Sequence, residues 1–265
     1  MSKVEINNVS LEFRDAAKSF LALDGVNLNI ENGEFVCIIG PSGCGKSTLI
    51  SLLAGLNFPT RGEVRIDGAV VRGSGTDRGM VFQHYSLFPW LTAKKNVYFG
   101  IKQAKLFKDK KLIEERALEY LKRVNLEEYA DKYPYQLSGG MQQRVAIART
   151  LAMDTEILLL DEPFGAIDPK NRLALQGLTI KLCKKNENRK AVLFVTHDID
   201  EAIILADRIV FMEPKKIKEE IPVGFPPDLT REEIIASPKY TEVRTHLMSL
   251  FLQDVGNRIG EEVVL

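Results

Sequence analysis

The pattern of apolar and polar positions along the chain predicts an α/β protein. Three short and wholly apolar runs, at residues 35–39, 157–160 and 191–195, are typical of buried strands in a parallel sheet. The second run ends on two carboxylates, Asp161 and Glu162, which is where such strands present functional groups. We therefore expect a sheet whose carboxyl edge carries the chemistry of the protein.

Residues 3–39 follow a different pattern, in which apolar side chains alternate with polar ones. The alternation is clearest at Val4 and Ile6 and again at Val26, Leu28 and Ile30. A period of two is that of a strand with one buried face. This section is therefore predicted to form a small antiparallel β layer.

From residue 91 to about residue 151 the spacing becomes helical. A further helix is predicted to begin at Ser138-Gly139-Gly140 and to run through Ala152. This section is predicted to form a separate helical lobe, and residues 213–265 a short helical extension. The positions that define the helical spacing of the lobe are Leu112, Ile113, Arg116, Ala117, Tyr120, Leu121 and Val124.

Composition narrows the class of protein. The chain has 36 basic and 36 acidic residues among 265, so no broad positive field would attract nucleic acid or anionic lipid. No apolar run is long enough to cross a bilayer, and residues 1–4 do not begin a signal peptide. Cys37, Cys44 and Cys183 are odd in number and lack metal-ligand spacing, which favours a reducing compartment. We expect a soluble, cytoplasmic protein without direct membrane insertion and without a nucleic-acid partner.

The strongest chemical signal is a glycine-rich loop between the first apolar run and a predicted helix. It matches the phosphate-binding pattern G-x-x-x-x-G-K-[ST] at every constrained position. Its glycines let the backbone N–H groups turn toward phosphate oxygens, Lys46 reaches the β- and γ-phosphates, and the Ser47 hydroxyl binds Mg²⁺. The loop residues are Gly40, Pro41, Ser42, Gly43, Cys44, Gly45, Lys46, Ser47 and Thr48. The loop predicts a nucleotide site, and we hypothesise that Cys44 has an acidic thiol whose alkylation blocks it.

A second motif narrows the class of nucleotide-binding protein. Residues 137–144 read Leu-Ser-Gly-Gly-Met-Gln-Gln-Arg and lie between the glycine loop and the Asp161-Glu162 strand. With these motifs, residues 1 to about 212 resemble the nucleotide-binding subunit of an ATP-binding cassette (ABC) transporter. The resemblance implies a P-loop NTPase of the ABC ATPase type. Such a fold has a RecA-like core with a parallel sheet, an N-terminal antiparallel β layer, and a helical subdomain, here about residues 91–151, that carries the signature motif.

The resemblance also implies roles for the matching residues in ATP hydrolysis. The residues implied in catalysis are Glu162 as the general base, His197, Gln83 and Lys46. The residues implied in holding Mg²⁺ are Ser47, Gln83 and Asp161. The residues implied in binding ATP are Phe13 as the adenine-stacking aromatic with Phe20 as its alternative, the loop residues 40–48, Asp168 in the segment 164–168, and Ser138, Gly139 and Gly140 from a second subunit.

Shorter segments of the sequence resemble particular subfamilies, and these resemblances bear on the partners and the solute. Residues 75–83 and 87–92 resemble importer ATPases for nitrate, taurine and aliphatic sulfonates, and related cassettes that serve bicarbonate or pyrimidine precursors share much of this stretch. Residues 212–217 depart from the arginine-proline-glycine turn expected there. The resemblance implies a homodimer on the inner face of the cell membrane, bound to transmembrane permease subunits and served indirectly by a solute-binding protein. The apolar residues 85–90 are hypothesised to line a groove for a short permease helix.

Three other functions stay open at this point. One is a soluble, non-transport ABC-type ATPase, although the chain lacks the long coiled-coil insertion or tandem cassettes that such proteins usually have. Another is a sensor or scaffold that binds ATP without hydrolysing it. The third is an exporter subunit, since the residues discriminate only weakly between import and export.

Overall fold

The structure is a computed structural model that describes residues 2–15, 18–83, 86–165, 167–183, 189–226 and 229–262. The chain forms two units, one from Met1–Ser74 with Leu193–Leu265 and the other from Gly75–Val192. The strands are β1 (Ser2–Asp15), β2 (Lys18–Glu31), β3 (Phe35–Ile39), β4 (Arg61–Ile66), β5 (Ala69–Val70), β6 (Arg78–Val81), β7 (Ile157–Asp161), β8 (Ala191–Val195), β9 (Arg208–Glu213) and β10 (Lys216–Pro222). The helices are α1 (Lys46–Leu53), α2 (Ala93–Gln103), α3 (Lys110–Arg123), α4 (Gly139–Ala152), α5 (Pro169–Cys183), α6 (Ile199–Leu205), α7 (Arg231–Ala236) and α8 (Pro238–Glu262).

In the first unit, β1, β2, β4 and β5 form an antiparallel sheet in the order β2-β1-β4-β5. Val4 and Ile6 are buried on β1, and each lies opposite apolar residues of both neighbouring strands. Val4 pairs with Ile30 and Ile66, and Ile6 pairs with Leu28 and Val64. The alternation in the sequence therefore produces one buried face, and the predicted antiparallel layer is confirmed.

A second sheet of the first unit carries the glycine loop. Strand β3 is parallel to β9, and β9 is antiparallel to β10. Every residue of β3 is buried, as a strand covered on both faces requires. Phe35 of β3 packs against Phe194 of β8, with ring centroids 5.9 Å apart. The loop follows β3 directly, so the buried strand fixes where the loop begins.

In the second unit, β6 and β7 are parallel neighbours, and β7 is entirely buried. Helices α2, α3 and α4 pack on one another in the same unit. Ile113, Ala117 and Leu121 of α3 are buried, as the helical spacing predicts, but Leu112 is 48% exposed. The buried face of α3 is therefore narrower than the spacing suggested, because Leu112 lies at its edge.

Within the predicted helical extension at residues 213–265, the structure contains the helices α7 and α8. It differs from the sequence-based expectation at residues 216–222, which form strand β10 rather than helix. Pro214 and Lys215 make a two-residue turn between β9 and β10, with Lys215 at φ 73°. This tight turn returns the chain antiparallel to β9, and pairing with β9 decides the strand. Among the described residues, no helix combines the length and hydropathy that a membrane crossing needs.

Candidate functional site

The glycine loop passes close to atoms of neighbouring segments, which explains two of its glycines. A Cβ atom at Gly40 would lie 2.2 Å from the carbonyl oxygen of Met212, so no side chain fits there. Gly45 has φ 115°, and a Cβ atom there would lie 2.8 Å from Leu23 Cδ2. The Cys44 carbonyl accepts a hydrogen bond of 3.0 Å from the Lys215 amide. The loop is thus held against the turn between β9 and β10 in one conformation.

Lys46 begins α1 and folds back over the loop. Its Nζ donates to the carbonyl oxygens of Gly40 at 2.8 Å and Pro41 at 2.9 Å, and the residue is 8% exposed. These contacts hold the ammonium group above the loop, at the positive end of the helix dipole. Ser42, Gly43 and Ser47 are exposed beside it. A positive charge, a helix N-terminus and exposed loop residues together suit an anionic phosphate chain.

Cys44 is buried inside the loop, with its Sγ atom 3.9 Å from Lys46 Nζ. The hypothesis from the sequence was that alkylation of this thiol blocks the nucleotide. Because the thiol is fully buried, a reagent has no direct access to it in this conformation. The structure therefore argues against Cys44 as a readily modified residue.

His197 follows β8 and belongs to the same unit as the loop. The residue before it, Thr196, donates its amide to the carbonyl of Ile38 in β3 at 3.2 Å. Because Ile38 lies two residues before Gly40, one strand anchors both the loop and the segment that carries His197. His197 itself is exposed.

Asp161, Glu162 and Gln83 lie in the second unit. Asp161 ends β7 and is 6% exposed, and Glu162 follows it with φ 45°. Gln83 Nε2 donates to Glu162 Oε2 at 3.1 Å. A positive φ is unusual for a residue other than glycine, and such backbone strain clusters at functional sites. The structure thus brings the proposed general base together with Gln83.

Ser138 caps the helix that carries the signature motif. Its Oγ accepts a hydrogen bond from the Met141 amide at 3.3 Å, and the side chain is exposed. Gly139 and Gly140 occupy the first two positions of α4, where amide groups lack intrahelical acceptors. The predicted start of this helix is confirmed, and it presents donors suited to an anion.

Asp168 precedes α5 and is exposed. Hydrogen bonds from the side chain and the backbone amide of Asn171 hold the pKa of Asp168 below its ordinary value. The carboxylate is therefore ionised near neutral pH. Ala166, in the same predicted segment, lies outside the described residues, as does Tyr85 of the hypothesised permease groove.

Phe13 and Phe20 are directly paired across β1 and β2. Their exposed fractions are 42% and 59%. Directly opposite residues of an antiparallel pair share one face of the sheet. Both rings are therefore available on the same face, and both remain candidates for stacking on adenine.

Three polar residues contact these motifs without a role that the sequence predicted. Arg149 of α4 donates to Ser86, three residues after Gln83, through both terminal nitrogens. Thr196 and Glu201 are buried on either side of His197 and are hydrogen-bonded to each other. The spacing from Asp198 to Glu201 is that of a helix cap, and it is the one local signal for this cluster.

A sequence model of the family described as "ABC transporter" matches residues 23–165, just over half of the chain, including the glycine loop, Gln83, the signature and Glu162. The chain belongs to the ABC transporter family. This ABC transporter chain is 45% identical over 255 residues to an uncharacterized ABC transporter ATP-binding protein of Methanocaldococcus jannaschii, covering 96% of this chain and 92% of the relative. It is 43% identical over 246 residues to the bicarbonate transport ATP-binding protein CmpD of Synechococcus elongatus. That match covers 92% of this chain and 88% of the relative.

Solved structures agree with this membership. A dimeric ATP-binding cassette in a post-hydrolysis state with ADP and Pi is 40% identical to this chain, with a TM-score of 0.76. The match covers 84% of this chain and 100% of that chain. A dimeric bacterial ABC transporter cassette is 39% identical, with a TM-score of 0.77 and the same coverage. The fold is that of an ABC-type P-loop NTPase, as the sequence predicted. The chain is an ATP-binding ATPase subunit of an ABC transporter.

Proposed function

We propose that the chain uses Glu162 as the general base of ATP hydrolysis and thereby powers solute import through membrane-embedded subunits. The observation that carries the proposal is the 3.1 Å hydrogen bond from Gln83 to Glu162, directly after the buried strand that ends on Asp161. A carboxylate is a suitable base for water when its position is fixed. A neutral amide fixes it without neutralising its charge.

In the proposed reaction a water molecule attacks the γ-phosphorus, the bond to the bridging oxygen breaks, and ADP leaves. Glu162 accepts a proton from the attacking water, and Lys46 neutralises charge on the β- and γ-phosphates. His197 contacts the γ-phosphate. Because the transition state is loose, positioning and charge neutralisation supply most of the rate enhancement. The fixed positions of Lys46 and Glu162 suit that requirement.

Mg²⁺ would neutralise charge on the β- and γ-phosphate oxygens. The oxygen donors of Ser47, Gln83 and Asp161 match its preference for hard ligands, and Asp161 is a buried carboxylate. Among the described residues, no group of three or more His, Cys, Asp or Glu side chains is placed to hold a metal ion. Mg²⁺ usually binds through one or two carboxylates together with substrate phosphates, so Asp161 with the ATP phosphates would suffice to hold it.

The Glu162→Gln variant tests the assignment of the base. We expect its steady-state phosphate release to fall about a hundredfold or more, because the amide cannot accept the proton. ATP binding, measured by equilibrium titration, should remain near the wild-type level. Glu156→Gln, which makes the same change just before β7, is the control and should hydrolyse ATP normally. Undiminished turnover in Glu162→Gln would show that another group is the base.

We further propose that two copies of the chain close over two ATP molecules. The solved relatives at 40% and 39% identity are dimeric, which supports this arrangement. The exposed Ser138 and the first amides of α4 would then donate to the γ-phosphate held by the other copy. After hydrolysis the differential binding energy of ATP is lost, so the two copies separate.

We place the proposed surface for the permease on the second unit. Phe88 packs against Trp90 at 5.5 Å and Phe99 at 4.7 Å between ring centroids, and Trp90 is 70% exposed. A pocket of about 400 Å³ adjoins this aromatic cluster. Its lining residues are Leu91, Lys94, Lys95, Tyr98, Phe99, Lys102, Glu114 and Asp131. Exposed aromatic rings beside a pocket suit a short helix of a membrane subunit.

The chain has one tryptophan, so its emission reports directly on that surface. We expect the emission maximum of Trp90 to shift to shorter wavelength when membrane subunits bind, because the ring leaves water. An assembled complex with an unchanged spectrum would place the permease elsewhere.

The solute is proposed to be a small compound such as nitrate, taurine, a sulfonate or bicarbonate. Support comes from the matches in residues 75–83 and 87–92 and from the relative described as a bicarbonate transport protein. On this proposal the chain lies on the inner face of the cell membrane, with permease subunits and, indirectly, a solute-binding protein as partners. Co-purification of those partners, followed by a ligand screen on the binding protein, would identify the solute. A co-purified complex without membrane subunits would contradict the transport assignment.

A further inference from the structure

The segment that carries His197 is enclosed by buried polar groups. Thr196 is 3% exposed and Glu201 is 5% exposed, and they lie on either side of His197 in the sequence. An ionisable side chain is rarely buried to this degree without a defined set of partners. The burial of Glu201 therefore calls for an explanation beyond helix formation.

Three hydrogen bonds join these residues into a closed ring. Thr196 Oγ1 donates to Glu201 Oε2 at 2.6 Å. The Asp198 amide donates to Thr196 Oγ1 at 3.1 Å, and the Glu201 amide donates to Asp198 Oδ1 at 3.0 Å. His197 lies between Thr196 and Asp198 in the sequence, so the ring holds the backbone on both sides of His197.

The ring differs from an ordinary capping box at the start of a helix. In a capping box the side chain at the third helical position accepts directly from the amide of the cap residue. Here Asp198 is the cap of α6, and the Thr196 hydroxyl stands between its amide and Glu201. A helix cap alone does not need a hydroxyl group between the cap amide and the glutamate. The extra hydroxyl extends the cap back across His197.

The ring is also tied to the strand that leads into the phosphate loop. The Thr196 amide donates to the Ile38 carbonyl at 3.2 Å, and Ile38 lies two residues before Gly40. Thr196 is thus held through its backbone to β3 and through its hydroxyl to α6. The position of His197 relative to Gly40 depends on both connections.

We propose that Thr196 and Glu201 are positioning residues that set the orientation of His197 for the γ-phosphate. The role of His197 at the γ-phosphate rests on the proposed function. The Glu201 carboxylate fixes the Thr196 hydroxyl, and that hydroxyl fixes the Asp198 amide, so the backbone of His197 has one conformation. Loss of any member releases that conformation without altering the phosphate loop.

Kinetics of four variants test the proposal. Thr196→Val removes the hydroxyl, Glu201→Gln keeps the volume but removes the charge, and Thr196→Ser restores the hydroxyl. Asp200→Asn is the control, because it makes a carboxylate-to-amide change on the same turn of α6 outside the ring. We expect kcat to fall about tenfold to a hundredfold in Thr196→Val and less in Glu201→Gln, with KM for MgATP within about twofold of wild type. Thr196→Ser and Asp200→Asn should retain the wild-type kcat.

A spectroscopic measurement tests the same proposal without hydrolysis. The chain has three histidines, so ¹³C labelling of the histidine ring gives three signals that single substitutions assign. We expect the His197 signal of the full chain to shift and narrow in Thr196→Val, because the ring becomes more mobile. The signals of His84 and His246 should not change in Thr196→Val, and Asp200→Asn should leave the His197 signal in place.

The outcomes separate this proposal from the proposed function. If the wild-type chain does not hydrolyse ATP, the proposed function is wrong. The positioning role of the ring is then still tested by the His197 signal. A wild-type His197 signal in Thr196→Val would overturn the positioning role. So would equal losses of kcat in Thr196→Val and Thr196→Ser, or a Thr196→Val variant with unchanged kcat. If Thr196→Val does not fold, Glu201→Gln supplies both readouts, and unchanged kcat and an unchanged His197 signal in it would overturn the role.

Discussion

At the scale of single residues, the phosphate loop depends on glycine where its backbone passes the carbonyl of Met212. Gly40 has no room for a Cβ atom, which would lie 2.2 Å from that oxygen. Replacement by alanine must therefore move either the loop or β9, and the loop amides with it. The cost appears both in the stability of the fold and in the affinity for nucleotide.

We expect Gly40→Ala to lower the free energy of unfolding by about 1–3 kcal/mol, as forced overpacking does, and to weaken ATP binding. Urea denaturation and equilibrium titration measure the two effects. The control is Gly177→Ala, the same substitution in α5, where a Cβ atom meets nothing within 4 Å. That control should raise the free energy of unfolding by about 0.5–1 kcal/mol because alanine favours a helix. Equal effects at both positions would refute the steric argument.

At the scale of elements, α4 is joined to the aromatic cluster by one arginine. Arg149 donates to the carbonyl and hydroxyl oxygens of Ser86 at 3.0 and 3.1 Å, and its guanidinium lies 5.8 Å from the ring centroid of Phe88. Burial lowers the pKa of Arg149. The signature helix and the proposed permease surface therefore share one half-buried guanidinium.

Removing that guanidinium should loosen the segment that carries Trp90. We expect the fluorescence anisotropy of Trp90 to decay faster in Arg149→Ala, and to an intermediate extent in Arg149→Lys, which keeps charge but not the two-point contact. Arg123→Ala removes an arginine whose ion-pair partner is Glu119 on the same helix, and it should leave the decay unchanged. An identical decay in Arg149→Ala would mean that Phe88 and Trp90 hold their positions without the arginine.

The C-terminal helix is joined to α6 through one carboxylate. Asp200 accepts hydrogen bonds of 2.8 Å from the Tyr240 hydroxyl and from Arg244. Burial alone would raise the pKa of Asp200, but these two donors outweigh it and hold the pKa below its ordinary value. Burial and the neighbouring Asp200 carboxylate raise the pKa of Tyr240 to about 12. The attachment of α8 is therefore intact at neutral pH.

A lowered pKa in the folded state means that the carboxylate adds stability above its unfolded pKa, about 3.9, and loses that contribution as pH falls through the folded value. Denaturation at several pH values should therefore show wild type to be more stable than Asp200→Asn near pH 7. The difference should shrink below about pH 4. Tyr240→Phe should lose about 1–3 kcal/mol at pH 7, whereas Tyr135→Phe, at a ring 77% exposed, should lose little. A pH-independent difference between wild type and Asp200→Asn would exclude the carboxylate as the cause.

Local sequence signals predicted most of these elements. The all-apolar runs of β3 and β7 and the Ser138 cap of α4 are patterns within a few residues, so they could be recognised directly. Strand β10 could not, because Ile217 and Ile221 are four residues apart and fit a helix equally well. Its pairing with β9 decides the conformation.

The candidate site was predictable only in part, for a similar reason. The glycine-loop motif selects Lys46 and the family resemblance selects Gln83 and Glu162, but the hydrogen bond between the last two joins residues 79 apart in the sequence. The ring around His197 was missed because its central contact depends on the burial of Thr196 and Glu201. Burial is a property of the folded chain and not of a local pattern.

At the scale of the whole molecule, the proposed assembly is a dimer that depends on nucleotide. Light scattering after size exclusion should give the mass of one chain for Glu162→Gln alone and of two chains with saturating MgATP, because the uncleaved nucleotide bridges the copies. Adding Ser138→Arg to that variant should prevent the dimer by placing a bulky side chain at the exposed cap of α4. A monomer at saturating MgATP in the single variant would remove the basis for the coupling mechanism.

The first unit is assembled from two segments with the entire second unit between them. Strand β3 pairs with β9, and Val36 lies opposite Arg208. Strand β9 therefore leaves the ribosome about 170 residues after β3. A nascent chain that has produced the glycine loop therefore still lacks its neighbouring strand and the Met212 carbonyl that shapes Gly40. During synthesis the contiguous second unit has all of its residues first, and nucleotide cannot template the loop until β9 has emerged.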